Sequence, residues 1–282
     1  MRKTISGRLK KLAPLLAFSV TLYFVINIAL LWKDGSAHSF FSNLLSIKTW
    51  AKIILLNWTT PLVGVGHLWY LLALCYVYLI LLFVNKHGYY KIGYIYSAIV
   101  IVSIYVLEII NANQSLGISQ IYYRNAWFMG FSFFMFGHLI RRNECRLKLS
   151  GKKLRITIAL LALSIIATFS LERRFMVGDN ALFVCNILTA LLVFVIGINN
   201  PSIKILNRVG ELDSGNIYVF HYAIIMVTSS CFGMVTKNPV WIWSSPIIIF
   251  LISIAISAAY RYLQMYLTRR KVHNKLEPRS RR

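Results

Sequence analysis

Acidic residues are scarce in this chain. Aspartate and glutamate together number 8 in 282 residues, and charged residues of all kinds make up only 14%. With 58% hydrophobic residues and a mean hydropathy of +0.64, that scarcity excludes an ordinary soluble domain. The composition is that of an integral membrane protein, and the length leaves no room for a sizeable domain outside the bilayer. Cysteine is sparse as well. Cys75, Cys145, Cys185 and Cys231 include no C-x-x-C pair, and three of them lie in or beside apolar runs. Neither a disulfide framework nor a zinc site is indicated, and they read as small packing residues.

Several chemical signatures are also missing. There is no H-E-x-x-H pair, no P-loop, no G-x-S-x-G elbow and no G-x-G-x-x-G turn after a strand. No matched pair of short, Gly/Pro-broken spans marks a transporter site. No repeat at a fixed period and no low-complexity tract divides the chain, so a single membrane domain over residues 1–282, with a basic tail at 268–282, is the economical reading.

Basic residues, by contrast, are plentiful. Lys and Arg number 31, for a net charge of +23, which first suggests nucleic acid. Their distribution argues otherwise, because they cluster at the ends of apolar runs, so no nucleic-acid partner is expected. The first such run, Leu12 to Trp32, follows Arg2, Lys3, Arg8, Lys10 and Lys11. At about 20 residues it is too long for the core of a signal peptide and right for a span. Residues Lys33 to Gly66 are of mixed character and are expected to lie on the surface or re-enter the membrane.

Seven further helices are expected: His67 to Val84, Lys91 to Asn111, Ala126 to Ile140, Leu154 to Leu171, Ala181 to Ile198, a segment starting near Asp213, and Val240 to Leu267. Asn199-Asn200-Pro201 should break the sixth span, and Glu172-Arg173-Arg174 with Asp179 should form the loop after the fifth. Eight spans put both termini on one side. That side then carries 23 Lys and Arg against 7 on the other, with Arg261 inside the last helix, which places both termini in the cytoplasm. The fold expected is all-α, a polytopic bundle of about eight membrane-spanning helices.

Within this frame the chain is organised around Gly66-His67-Leu68-Trp69-Tyr70-Leu71, at the mouth of the apolar run to Val84. Pro61, Gly64 and Gly66 disfavour regular helix ahead of it, so His67 should sit near a helix start at a membrane surface. A Trp-Tyr pair at that depth is commonly an interfacial anchor. The topology adds company on the same outer side: Glu108, Arg124, Asn125, Glu172, Arg173, Arg174 and Asp179. Ionisable groups near membrane depth are expensive and tend to be paired or functional. A His near a carboxylate is the minimum for general-base work, although Glu172, Arg173 and Arg174 could equally form a solvated loop with mutual pairing. His221, inside the seventh helix with Tyr218 and Tyr222 at helical spacing, fits a hydrogen-bonded packing residue better than a catalyst. His138 is expected at an interface. The residues alone point to an outward-facing polar pocket for a polar or anionic substrate.

Four stretches add a resemblance. Gly66-His67-Leu68-Trp69-Tyr70-Leu71 resembles the His-Leu-Trp-aromatic-Leu signature of the acyltransferase 3 family of membrane acyltransferases. Arg124-Asn125 with the helix Phe131 to Ile140, Glu172 after an apolar helix, and Ile217-Tyr218-Val219-Phe220-His221 are similar to further family stretches, in the same order. The resemblance implies an enzyme that moves an acyl group, commonly acetyl from acetyl-CoA, onto a hydroxyl of a sugar or envelope glycan. It implies a multi-pass protein of a bacterial inner membrane, with membrane lipid and a glycan acceptor as partners and no metal.

The family opens with an Arg and a His in its first helix, the His being regarded as its base. Here the first helix holds neither, and Arg8-Leu9-Lys10-Lys11 resembles the basic stretch before the family's third helix. Two helices of the family pattern are therefore expected to be missing, the alternatives being a fragment, a misplaced start or an inactive relative. The roles implied are His67 and Glu172 as catalytic groups, with Trp69, Tyr70, Arg124, Asn125, Arg173 and His221 holding substrate. The competing class is a non-enzymatic scaffold or a component of a glycan transporter.

Overall fold

A computed structural model describes residues 2–33, 35–114, 116–175, 182–199, 204–231 and 238–276. Among these residues helix is the regular structure present, with no strand. Helix α1 (Arg2–Lys33) is followed by three short helices, α2 (Ala37–Leu44), α3 (Ile47–Leu56) and α4 (Thr60–Val63). Then come α5 (Trp69–His87) and α6 (Tyr90–Gln114). A π-turn (Ala126–Gly130) runs directly into α7 (Phe131–Arg142), and α8 (Glu144–Leu147), α9 (Gly151–Phe175), α10 (Val184–Asn199), α11 (Lys204–Cys231) and α12 (Pro239–Leu276) complete the order.

Each of the eight helices expected from the apolar runs falls on an observed helix. Among the described residues, five stretches are long and apolar enough to cross a bilayer: Ile5–Lys33, Trp69–His87, Tyr90–Gln114, Gly151–Arg174 and Pro239–Leu267, with Val184–Asn199 shorter. Several helices extend beyond their apolar runs, while α5 starts two residues later than expected, at Trp69. Helix α11 begins at Lys204 rather than near Asp213, α1 begins at Arg2, and α12 continues to Leu276. Apolar runs mark only the part of a helix that lipid would surround, while its backbone hydrogen bonds continue into charged flanking sequence.

Two local expectations need correction. Pro61 does not prevent helix; it stands in the first turn of α4, where a missing N–H costs nothing. Gly64, at φ +70°, then ends that helix, and His67 lies two residues before α5. Glu172, Arg173 and Arg174 are not loop residues either, for they form the last turn of α9. Asp179, Asn200, Pro201 and the end of the basic tail lie outside the described residues.

The helices fall into two compact units. One comprises residues 1–20 and 36–201, the other residues 21–35 and 202–282. In both, an apolar interior is combined with an apolar exterior. Large apolar side chains face outward, among them Ile99, Val102, Leu163, Ile166 and Leu251. Polar ones are buried, including Ser97, Glu108, Asn125, Ser132 and Glu172 in the first unit and Asp213, Ser253 and Ser257 in the second. Apolar surface on that scale suits a hydrocarbon surrounding, in which polar groups must find partners inside the protein.

Close approach between helices is set by small residues. A Cβ on Gly93 would lie 2.8 Å from Met135 Cε, so α6 meets α7 where a side chain is absent. A Cβ on Gly130 would stand 3.3 Å from the Asn125 carbonyl oxygen and 3.4 Å from Val77, which seats the π-turn against α5.

Candidate active site

The stretch at Gly66 to Trp69 borders a cavity of about 230 Å³ in the first unit. Its wall begins at the end of α3, where Asn57 adopts φ 58° and turns the chain. Asn is one of the few residues with a Cβ that visits this left-handed region readily. Leu56, Asn57, Trp58 and Thr60 line one part of the cavity. Gly66 and Trp69 line another, and Ser119, Gln120, Ile121 and Arg124 close it from the loop after α6.

Asn57 is fully buried, and its Oδ1 accepts the Ala126 backbone N–H at 2.8 Å. That bond fixes the orientation of the amide, since an N–H must meet the oxygen. The other end, Nδ2, is buried and has no hydrogen-bond partner among the described residues.

Asn125 holds the opposite wall. Its Oδ1 accepts from the backbone N–H groups of Trp127 (3.0 Å) and Phe128 (3.2 Å), capping the π-turn, while Nδ2 donates to the Tyr122 carbonyl at 2.9 Å. The Trp127 indole N–H reaches the Leu55 carbonyl at 2.8 Å, a second tie between the π-turn and α3. A π-turn has poor internal hydrogen bonding and is found mostly where function constrains the backbone. Here the distant Asn57 side chain and Leu55 carbonyl, together with the adjacent Asn125 cap, secure it.

Arg124, one residue before this cap, is exposed, and its guanidinium lies over the Trp69 ring, 5.4 Å from the centroid. Such stacking orients the planar fork without neutralising it. Lys52 stands similarly over Trp58, at 5.2 Å. The cavity thus has two aromatic faces, each attended by a cation.

His67 stands between Gly66 and Trp69, half-buried, with both ring nitrogens shielded from solvent. Tyr70 is exposed and meets Trp69 edge-on, with centroids 6.2 Å apart.

Glu172 is buried, unlike a residue of a solvated loop, and accepts the backbone N–H groups of Val184 (2.5 Å) and Cys185 (3.2 Å) at the start of α10. Glu108, from α6, accepts the Leu182 N–H at 3.1 Å and bonds the Tyr123 hydroxyl. A carboxylate is favoured at a helix N-terminus, where backbone donors have no intrahelical partner. Burial, and then the neighbouring Glu108, push the Tyr123 phenol above its ordinary value. Arg173 and Arg174 are exposed.

An apolar cluster joins these features. Val100, Ile104, Tyr123, Met129 and Leu182 form its centre, and Trp69 and Tyr105 pack on it. So the cavity and the two buried carboxylates share one hydrophobic support.

The expected residues therefore separate into groups. Trp69 and Arg124 line the cavity, with His67 and Asn125 adjoining it in sequence. Glu172 and Arg173 lie at the junction of α9 and α10. His221 belongs to the second unit. There it lines a cavity of about 510 Å³ between α11 and α12, together with Ile217, Ser245 and Pro246. Its Nδ1 sits 3.2 Å from the Ile217 carbonyl oxygen, so Nδ1 carries the proton in that contact. Asn57, Trp58 and Thr60 escaped the sequence reading. The clue was turn chemistry, an Asn at a helix end before Trp-Thr-Thr-Pro.

The fold and its outward apolar surface define a multi-pass helical membrane protein. A family model for an acyltransferase domain, that of the acyltransferase 3 family, matches residues 1–260, and the chain belongs to that family. No curated protein and no solved structure matches it.

Proposed function

We propose that this protein transfers an acetyl group from acetyl-CoA to a sugar hydroxyl of a cell-envelope polysaccharide or glycolipid, in a bacterial inner membrane with both termini in the cytoplasm. The observation that carries the reading is the cavity beside His67, where the family-like stretch from α5 and Arg124 from a separate loop meet. Aromatic faces suit the C–H face of a pyranose, and the polar rim suits its hydroxyls.

In this reading His67 acts as base or positions the acceptor. The acceptor hydroxyl oxygen attacks the thioester carbonyl, the new C–O bond forms and the C–S bond breaks. The hydroxyl proton passes to His67 and from there to the departing coenzyme A thiolate. A base shielded from bulk water keeps the proton within the site.

Trp69 and Tyr70 offer contact surfaces, and Arg124 and Arg173 offer forked donors to oxyanions. Both oxygens of Glu172 are engaged with backbone amides, which suits holding α10 in place better than carrying a proton. We assign it a positioning role. Asn125 likewise acts through the π-turn it caps. His221 would contact substrate within the cavity of its own unit, between α11 and α12. The exposed cations Arg142, Arg146, Lys152, Lys153 and Arg155 are available to coenzyme A phosphates.

The test is transfer of labelled acetyl from acetyl-CoA to glycan in membranes containing the full chain. Wild-type protein should transfer label and His67→Ala should lose at least tenfold. Transfer by His67→Ala at the wild-type rate would remove the role given to His67. No transfer by the wild type would favour the scaffold reading.

A further inference from the structure

We infer that the cavity beside Trp69 selects an acidic sugar residue, one pyranose carrying a carboxylate or phosphate, and that Asn57 is a specificity-determining donor for it. The inference rests on the reading of this cavity as the acceptor site, and it names the class of acceptor.

Three observations combine. First, Asn57 helps to line the cavity, and its buried amide is oriented by its bond to the Ala126 N–H, which leaves Nδ2 as a donor that has no hydrogen-bond partner among the described residues. A buried donor left unsatisfied is costly, so its retention calls for an acceptor supplied from outside. Second, Arg124 lines the same cavity with its fork held flat against Trp69, and among the described residues it takes part in no ion pair. Third, among the described residues no acidic side chain lines this cavity. The wall therefore offers a fixed positive charge and a fixed neutral donor, with nothing to repel an anion. An oxyanion satisfies both at once.

Size and shape identify what bears the oxyanion. At about 230 Å³ the cavity falls below the roughly 300–1,000 Å³ typical of drug-sized ligands. It has room for one ring and not for a whole coenzyme A. Trp58 and Trp69 supply the flat apolar faces such a ring requires. The neutral hydroxyls of a plain hexose could also meet the Asn57 donor, but they would leave Arg124 unmatched. The charged group is what distinguishes the two acceptors.

The test is direct binding, measured by titration calorimetry on the purified full chain in detergent micelles. The probes are glucuronate, glucose 6-phosphate, glucose and coenzyme A. Glucuronate or glucose 6-phosphate should bind at least tenfold more tightly than glucose, and the better of the two identifies the oxyanion. Asn57→Asp keeps the oxygen that accepts from Ala126 and tolerates the left-handed turn, but replaces the donor with an anionic oxygen. It should weaken acidic-sugar binding at least tenfold while the thermal midpoint stays near that of the wild type. Should the variant unfold, Arg124→Gln, at an exposed site, provides the same readout and should also lose at least tenfold.

Equal binding of glucose and the acidic sugars, undiminished binding in the folded Asn57→Asp or Arg124→Gln protein, binding of coenzyme A alone, or no binding at all overturns the inference. These results are separable from those for acyl transfer. Acidic-sugar binding without transfer leaves the inference standing and removes the enzyme reading. Transfer to neutral glycans without acidic-sugar binding does the reverse.

Discussion

Arg261 on α12 and Asp213 on α11 form an ion pair, Nη1 to Oδ2 at 2.9 Å, with the Asp213 side chain 1% exposed. Within the second unit this is a charge pair set between two helices whose outer faces are apolar. Removing one member of a buried pair leaves an uncompensated charge, at a cost of about 3–5 kcal/mol. Arg261→Leu is therefore expected to lower the thermal unfolding midpoint in detergent sharply. The double substitution Asp213→Leu with Arg261→Leu should recover much of the loss. A double variant as unstable as the single one would mean that the pair matters for some reason other than charge.

Asn125 should behave as a structural cap. Substitution by Ala frees the N–H groups of Trp127 and Phe128, and loss of such a cap costs about 0.5–2 kcal/mol. Because this cap directly follows Arg124, which lines the cavity, Asn125→Ala should also weaken substrate binding. Calorimetry and a thermal melt on the same sample should show both effects together.

Helix α6 approaches α7 over the bare Cα of Gly93. Gly93→Leu would drive a side chain into Met135, and overpacking of this kind costs about 1–3 kcal/mol. The expected result is a lower unfolding midpoint. Gly137 on α7, where an added Cβ meets nothing within 4 Å, should accept Ala with little change and serves as the control.

Tyr123 carries a pH prediction. Its phenol is held above the ordinary value by burial and by Glu108, so the folded protein binds that proton more tightly than the unfolded chain. Stability from this group is complete below the ordinary tyrosine value of about 10 and declines as pH rises above it. Unfolding midpoints measured from pH 9 to 11 should fall, and Tyr123→Phe should show a shallower fall from a lower starting value. An identical slope in the two proteins would place the titration elsewhere.

The helices were legible because lipid imposes a length and an apolar composition on each span, both visible in one dimension. Their charged extensions, such as Lys204 to Leu212, carry no such signal, and neither do the short helices between Lys33 and Gly66. The neighbourhood of His67, Trp69 and Arg124 was legible as a set on one side of the membrane. The partners of each residue were not. Nothing local to Glu172 announces that its carboxylate caps a helix starting 12 residues later, and nothing local to Asn57 announces Ala126, 69 residues away. Side-chain bonds to distant backbone depend on the fold, so a polar residue reads alike whether it serves substrate or scaffold.

The two carboxylates that hold the start of α10 differ in how far along the chain they reach. Glu172 lies 12 residues from Val184, whereas Glu108 lies 74 from Leu182. The shorter loop costs less entropy to close. Their spacing thus makes the Glu172 contact the less costly of the two to close in entropy.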